Sequence, residues 1–107
     1  MTSSAEFQAL FQQGKRIDRP SLIVLWRQAE GRRRAGVAVS RQIRDAVRRN
    51  RVRRRLREAY RLVRDAAPAR AALVIVGKRR ALDESFDQLP RELRGALEAS
   101  PGARSES

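Results

Sequence analysis

The chain contains no cysteine and no histidine. The first absence excludes disulfides and thiolate chemistry, and the two together remove the usual zinc ligands and imidazole acid–base catalysis. Lysine is scarce as well: only Lys15 and Lys78 stand among 25 basic residues. Three phenylalanines, one tryptophan and one tyrosine are too few for a broad base-stacking platform. The longest apolar runs, Leu22 to Trp26 and Ala71 to Val76, are far too short to span a bilayer. MTSSAEF, at the start, has neither a basic lead nor an apolar run, so no signal peptide is expected. These absences point to a cytoplasmic chain that uses no membrane and takes no small-molecule substrate.

What the chain has is arginine. Its formal charge is +13 over 107 residues, a length suited to one small domain. Residues 41–64 hold eleven arginines against Asp45 and Glu58, a net of +9. Residues 83–107 hold six acids against three arginines, a net of −3. A chain seeking only solubility would intersperse the signs. Concentrated arginine favours an anionic partner, since the planar guanidinium pairs with phosphate and stacks on bases.

A domain is expected over residues 1–99, with a disordered tail at 100–107 that is rich in Ser, Pro and Gly. Ser3 to Glu6 matches a capping box. The helix it opens would place Phe7, Leu10 and Phe11 on one face and end near Gly14. Asp18-Arg19-Pro20 is a turn, and Leu22 to Trp26 is an apolar strand. Glu30-Gly31-Arg32 reads as a hairpin turn into a second strand, Ala35 to Val39. A long helix covers Asp45 to Arg64, a third strand Ala71 to Val76, and a last helix about 84–98. In that last helix Phe86, Leu89, Leu93 and Leu97 face inward, and Pro90 fits only in the first turn. The expected fold is α/β (α+β): a small single-layer sheet packed by helices, in the order α-β-β-α-β-α.

The long helix sorts its residues sharply. Val52, Leu56, Ala59, Tyr60 and Val63 share the side that should meet the sheet. Asn50, Arg53, Arg54, Arg57, Arg61 and Arg64 form a stripe on the opposite side, about 21 Å long at about 1.5 Å per residue. Arg51 and Arg55 flank the stripe, and Arg49 projects near the apolar arc. Solvated helix faces usually mix signs; here Glu58 is the only acid among residues 46–64. Asn50 adds no charge, yet on such a stripe it can donate to phosphate or meet a base edge. Phe7 and Phe11 suit core packing, and at a groove edge they would stack on unpaired bases.

Val39-Ser40-Arg41-Gln42-Ile43, Ala46-Val47-Arg48-Arg49-Asn50-Arg51-Val52-Arg53-Arg54 and Leu56-Arg57-Glu58 together resemble the signature of the bacterial ribonuclease P protein subunit. Arg49-Asn50-Arg51 matches that family's RNR motif, and Glu6-Phe7-Gln8 through Phe11 and Gly14 is similar to its opening segment. The chain departs from the pattern at Ile43-Arg44-Asp45-Ala46, where the family carries a glycine, and Asp45 can cap the long helix there. Leu25-Trp26 stands where the family often has tyrosine, and Met1 to Ser4 where it has basic residues.

The resemblance implies a left-handed β-α-β crossover, an exception to the usual hand. It implies a catalytic RNA partner which, with Mg²⁺ held mainly by that RNA, removes the 5′ leader of precursor tRNA. The chain would then be an endoribonuclease subunit that carries no catalytic residue and no metal site itself. RNA contacts are expected at Arg41, Arg48, Arg49, Asn50, Arg51, Arg53, Arg54, Arg57 and Arg61. Phe7 and Phe11 are implied to line a leader cleft between the long helix and the sheet. Two other classes compete: a ribosomal or DNA-binding module using a basic helix in a groove, and a nuclease acting alone through Asp83, Glu84 and Asp87. Those acids suit better a helix N-terminus, where the macrodipole favours them.

Overall fold

A computed structural model describes residues 14–28, 34–67, 70–83 and 85–99. Within them the chain forms strands β1 (Lys15–Asp18), β2 (Leu22–Gln28) and β3 (Arg34–Val39). Helix α1 (Ala46–Val63) follows and closes in a 3-10 turn at Arg64–Ala66. Strand β4 (Ala71–Gly77), a short helix α2 (Arg80–Asp83) and helix α3 (Gln88–Ala99) complete the fold. The expected capped helix with Phe7 and Phe11, the turn at residues 30–32, Glu84 and the tail from residue 100 lie outside the described residues.

The four strands run in the order β1-β2-β4-β3. Strand β2 pairs antiparallel with both β1 and β4, whereas β3 runs parallel to β4. This corrects the hairpin expected between Leu22–Trp26 and Ala35–Val39, because β4 lies between them. The reason is in β4 itself: AALVIVG is buried at six of its seven positions, so it takes a central place with both faces covered. Strand β1 is a second correction. KRID is short and mostly exposed, with only Ile17 half-buried, so it carries no apolar pattern to read. It is an edge strand held by its pairing to β2.

Alternate residues of the sheet build two apolar clusters. Leu22, Val24 and Trp26 of β2, Val39 of β3, and Leu73 and Ile75 of β4 meet Val52, Leu56, Ala59 and Val63 of α1 and Leu89, Leu93 and Leu97 of α3. Leu25, Ala72 and Val74 form a smaller cluster with Ile23, Ala38 and Val76. Helix α1 is therefore rotated as its sequence pattern requires, with Tyr60 half-buried at the margin. Helix α3 begins later than expected, at Gln88, after turns in which Gln88 and Leu89 donate to Ser85 and Phe86. Pro90 falls in its first turn, where a missing N–H costs little.

A buried polar tie joins helix and sheet, and an exposed pair links β1 to the end of β4. The backbone N–H and hydroxyl of Ser21 donate to the Glu92 carboxylate at 2.8 and 3.0 Å, joining α3 to the β1–β2 turn. Both residues are buried, and the paired hydrogen bonds compensate the carboxylate for lost water. At the surface the Lys78 ammonium donates to Asp18 and, with Arg16 nearby, holds its carboxyl below the usual range.

Gly77 of β4 lies close against α1: a Cβ built there would strike the Val52 and Leu56 side chains. Gly77→Ala is therefore expected to destabilise the domain by about 1–3 kcal/mol through overpacking. Leu56→Ala should cost about 2–5 kcal/mol through the cavity it leaves. Arg57→Ala, on the exposed side of the same helix, should leave the melting temperature nearly unchanged. Thermal denaturation of the three variants checks the rotation of α1.

Candidate nucleic-acid interface

The interface begins where β3 ends. The Ser40 N–H donates to Gly77 O at 2.9 Å, and Ile43, 3% exposed, sinks into the core. The loop then turns into α1, whose N-cap is Asp45: its Oδ1 accepts the Val47 N–H at 2.9 Å. The expected cap is thus formed. It satisfies one of the free donors of the first turn and places a negative charge at the positive end of the helix. Arg41 and Arg44 stand exposed on this loop.

Along α1 the arginines divide by their contacts. Arg49 turns inward, and its Nη1 donates to Ser40 O at 3.1 Å and to Ile43 O at 2.8 Å. Asn50 is exposed and accepts a 3.1 Å hydrogen bond from Arg53 Nη1 at its Oδ1. The side chain of Asn50 thereby orients a neighbouring guanidinium. Arg61 reaches Glu58 through Nη2 at 2.5 Å and Nε at 3.3 Å. The Arg61 guanidinium holds the Glu58 carboxyl below its usual range, and Glu58 raises Arg61 in return. Arg48 lies 3.8 Å from Asp45. Both are exposed pairs, which contribute little to stability and leave their arginines available to exchange partners.

Arg51, Arg54 and Arg57, together with Arg41, Arg44 and Arg64, are exposed and have no acidic partner among the described residues. The structure therefore gathers Asn50, Arg51, Arg53, Arg54, Arg57 and Arg61 on the outward side of one helix, with Arg41 and Arg48 at its N-terminal end. It does not place Arg49 with them. Phe7 and Phe11 lie outside the described residues.

Beside this face a shallow groove of about 130 Å³ runs between α1 and the β3 side of the sheet. Ala35, Gly36, Val37 and Ile75 form its floor, and Arg57 and Tyr60 form its wall. Tyr60 was expected on the buried side. It sits at the margin of the apolar arc, so its ring serves both the core and the groove.

No metal cage is built from the described residues: nowhere do three His, Cys, Asp or Glu side chains come together. Asp83 ends the short helix α2, and Asp87 precedes α3, both exposed. Asp83 thus belongs to a different helix from the one whose N-terminus it was expected to favour. Among the described residues no helix is long and apolar enough to cross a membrane.

Comparison with known proteins agrees with this architecture. A family model described as Ribonuclease P matches residues 1–100. The ribonuclease P protein component of Oleidesulfovibrio alaskensis is 39% identical over 116 residues, covering 95% of this chain and 93% of that one. Its counterpart from Gluconacetobacter diazotrophicus is 35% identical over 96 residues, with 87% and 83% covered. Among solved structures, the RNase P protein from Thermotoga maritima superposes with a TM-score of 0.83, covering 95% of this chain and 97% of that one at 23% identity. The Staphylococcus aureus RNase P protein gives a TM-score of 0.80 at 20% identity, over 97% and 96% of the two chains.

If the outward face of α1 meets phosphates, losing each contact should flatten the log–log salt dependence of RNA affinity by about 0.7–0.9. Replacing Arg53, Arg54 and Arg57 together with alanine should flatten it by about 2 or more. Filter binding across a salt series measures this, and an unchanged slope would mean that the face only meets water.

Proposed function

We propose that this chain, which belongs to the ribonuclease P protein family, binds the catalytic RNA of ribonuclease P and the 5′ leader of precursor tRNA. In that role it assists endonucleolytic removal of the leader. One observation carries the reading. Helix α1 offers a continuous outward row of guanidinium groups whose only acid, Glu58, is already taken by Arg61. Such a row repels itself in water, and a polyanion relieves that repulsion while releasing its own counterions.

The reaction's demands fit this division of labour. Hydrolysis of a phosphodiester needs an activated water and charge neutralisation at the phosphate. The described residues include no imidazole, no thiol and no acid cluster for that purpose. In this proposal Mg²⁺ held by the RNA supplies the metal-assisted chemistry. The protein neutralises, orients and selects. Its charge of +13 allows two RNAs to approach each other with fewer free cations. Arg41, Arg48, Asn50, Arg51, Arg53, Arg54, Arg57 and Arg61 are the proposed RNA contacts, and Phe7 and Phe11 the proposed leader contacts. The proposal places the protein in the cytoplasm with its RNA.

Reconstitution tests it. The chain alone, with Mg²⁺, should leave precursor tRNA intact. Added to a bacterial ribonuclease P RNA it should promote cleavage at the leader junction, most visibly at low Mg²⁺, and should favour precursor over mature tRNA. Phe7→Ala or Phe11→Ala should reduce that preference by about 1–3 kcal/mol for each stacked base lost. Specific leader removal by the protein after all RNA has been digested would overturn the proposal.

A further inference from the structure

The inward turn of Arg49 separates it from the outward row of arginines on α1. Its Nη1 carries two protons, and the two hydrogen bonds at 3.1 and 2.8 Å direct one to Ser40 O and one to Ile43 O. The site is part-buried, so these carbonyls would lose partners that water replaces poorly if the guanidinium were removed. Ser40 O also accepts the Ile43 N–H at 3.1 Å, which closes a tight turn just after β3. The Arg49 N–H in turn donates to Asp45 O at 2.9 Å. One residue thus ties the first turns of α1 to both ends of the Ser40–Ile43 turn, while Ile43 pins the same segment from the core.

Arg41 sits inside that tied segment and is exposed. Its direction relative to Arg48, Asn50 and Arg51 depends on how the loop is held against the helix. We propose that Arg49 is a positioning residue: it clamps the Ser40–Ile43 turn to α1, so that Arg41 and the outward face of α1 present one phosphate-binding surface. It does not itself bind phosphate. The RNR run then combines three tasks. Arg49 sets the loop, Asn50 orients Arg53, and Arg51 remains exposed to the partner. The consequence for RNA rests on the RNA-binding reading above, whereas the clamp itself is a property of the free protein.

Two measurements keep these levels apart. In the free protein, Arg49→Ala should accelerate amide hydrogen exchange at Ile43 about ten-fold or more, as expected for loss of charge-assisted hydrogen bonds. Arg49→Lys keeps the charge and a shorter donor, so it should fold at least as well as the alanine variant and show a smaller acceleration. Exchange at Leu93 in α3 should not change in either variant. A phosphate-contacting residue would not move exchange in the absence of RNA.

The second measurement is affinity for ribonuclease P RNA across a salt series. In an Arg41→Ala background, Arg49→Ala should leave the slope unchanged, whereas Arg57→Ala should flatten it by about 0.7–0.9. The clamp is overturned if Arg49→Ala and Arg49→Lys both leave Ile43 exchange unchanged. The proposal is equally overturned if Arg49→Ala flattens the slope by about 0.7–0.9 in the Arg41→Ala background, since that is the signature of a direct phosphate contact. Absence of RNA binding by the parent chain would defeat the proposed function and would leave the exchange result standing as its own test of the clamp.

Discussion

Helix α1 lies against the sheet over Gly77, where the lack of a side chain on β4 leaves room for Val52 and Leu56. That contact determines the helix's rotation, and the rotation determines where its arginines point. With Val52, Leu56, Ala59 and Val63 buried, the rest of the helix surface is mostly charged, with Val47 and Leu62 as exposed apolar exceptions. Turning the helix would bury guanidinium groups without partners, at a cost far above the marginal stability of a domain this size. The packing of the core and the layout of the interface are therefore one constraint seen from two sides.

The arginine face is specialised within itself. At its N-terminal end, where Asp45 caps the helix, a hydrogen-bonded loop held by Arg49 carries Arg41. In its middle Asn50 orients Arg53, and Arg57 and Tyr60 border the groove beside β3. Toward its end Glu58 holds Arg61 in an exposed pair that a stronger anion can replace. Family membership gives the face its context. Homologues of this chain are ribonuclease P protein components, and the RNR residues of this chain lie on α1.

Much of this was legible from the chain, for reasons that can be named. The long helix announced itself through apolar residues at 52, 56, 59 and 63 and through Asp45 at its cap. The strand Ala71–Gly77 did so through an unbroken apolar run. Pairing was harder to read. Nothing local in Leu22–Gln28 or Arg34–Val39 says that β4 will insert between them, because strand order is settled by which strand must bury both faces. Strand β1 owes its place to pairing with β2, with Ile17 against the core and Asp18 bound by Lys78, none of it visible in the four residues themselves. The buried carboxylate of Glu92 looks like any surface acid until Ser21, 71 residues away, is brought beneath it. Arg49 illustrates the same limit at the site. Its angle on the helix placed it near the apolar arc, but its two carbonyl partners exist only once the loop has folded.

In the proposed function one face of α1, and not arginine in general, meets the RNA. Protection of arginines from an arginine-selective dicarbonyl reagent, read by mass spectrometry with and without ribonuclease P RNA, tests it most directly. RNA should shield Arg53, Arg54 and Arg57 while leaving Arg91 of α3 and Arg16 of β1 as reactive as in the free protein, in which Arg53 is half-buried and the other four are exposed. Equal reactivity of Arg53, Arg54 and Arg57 with and without RNA, or protection spread evenly over Arg16 and Arg91 as well, would contradict it.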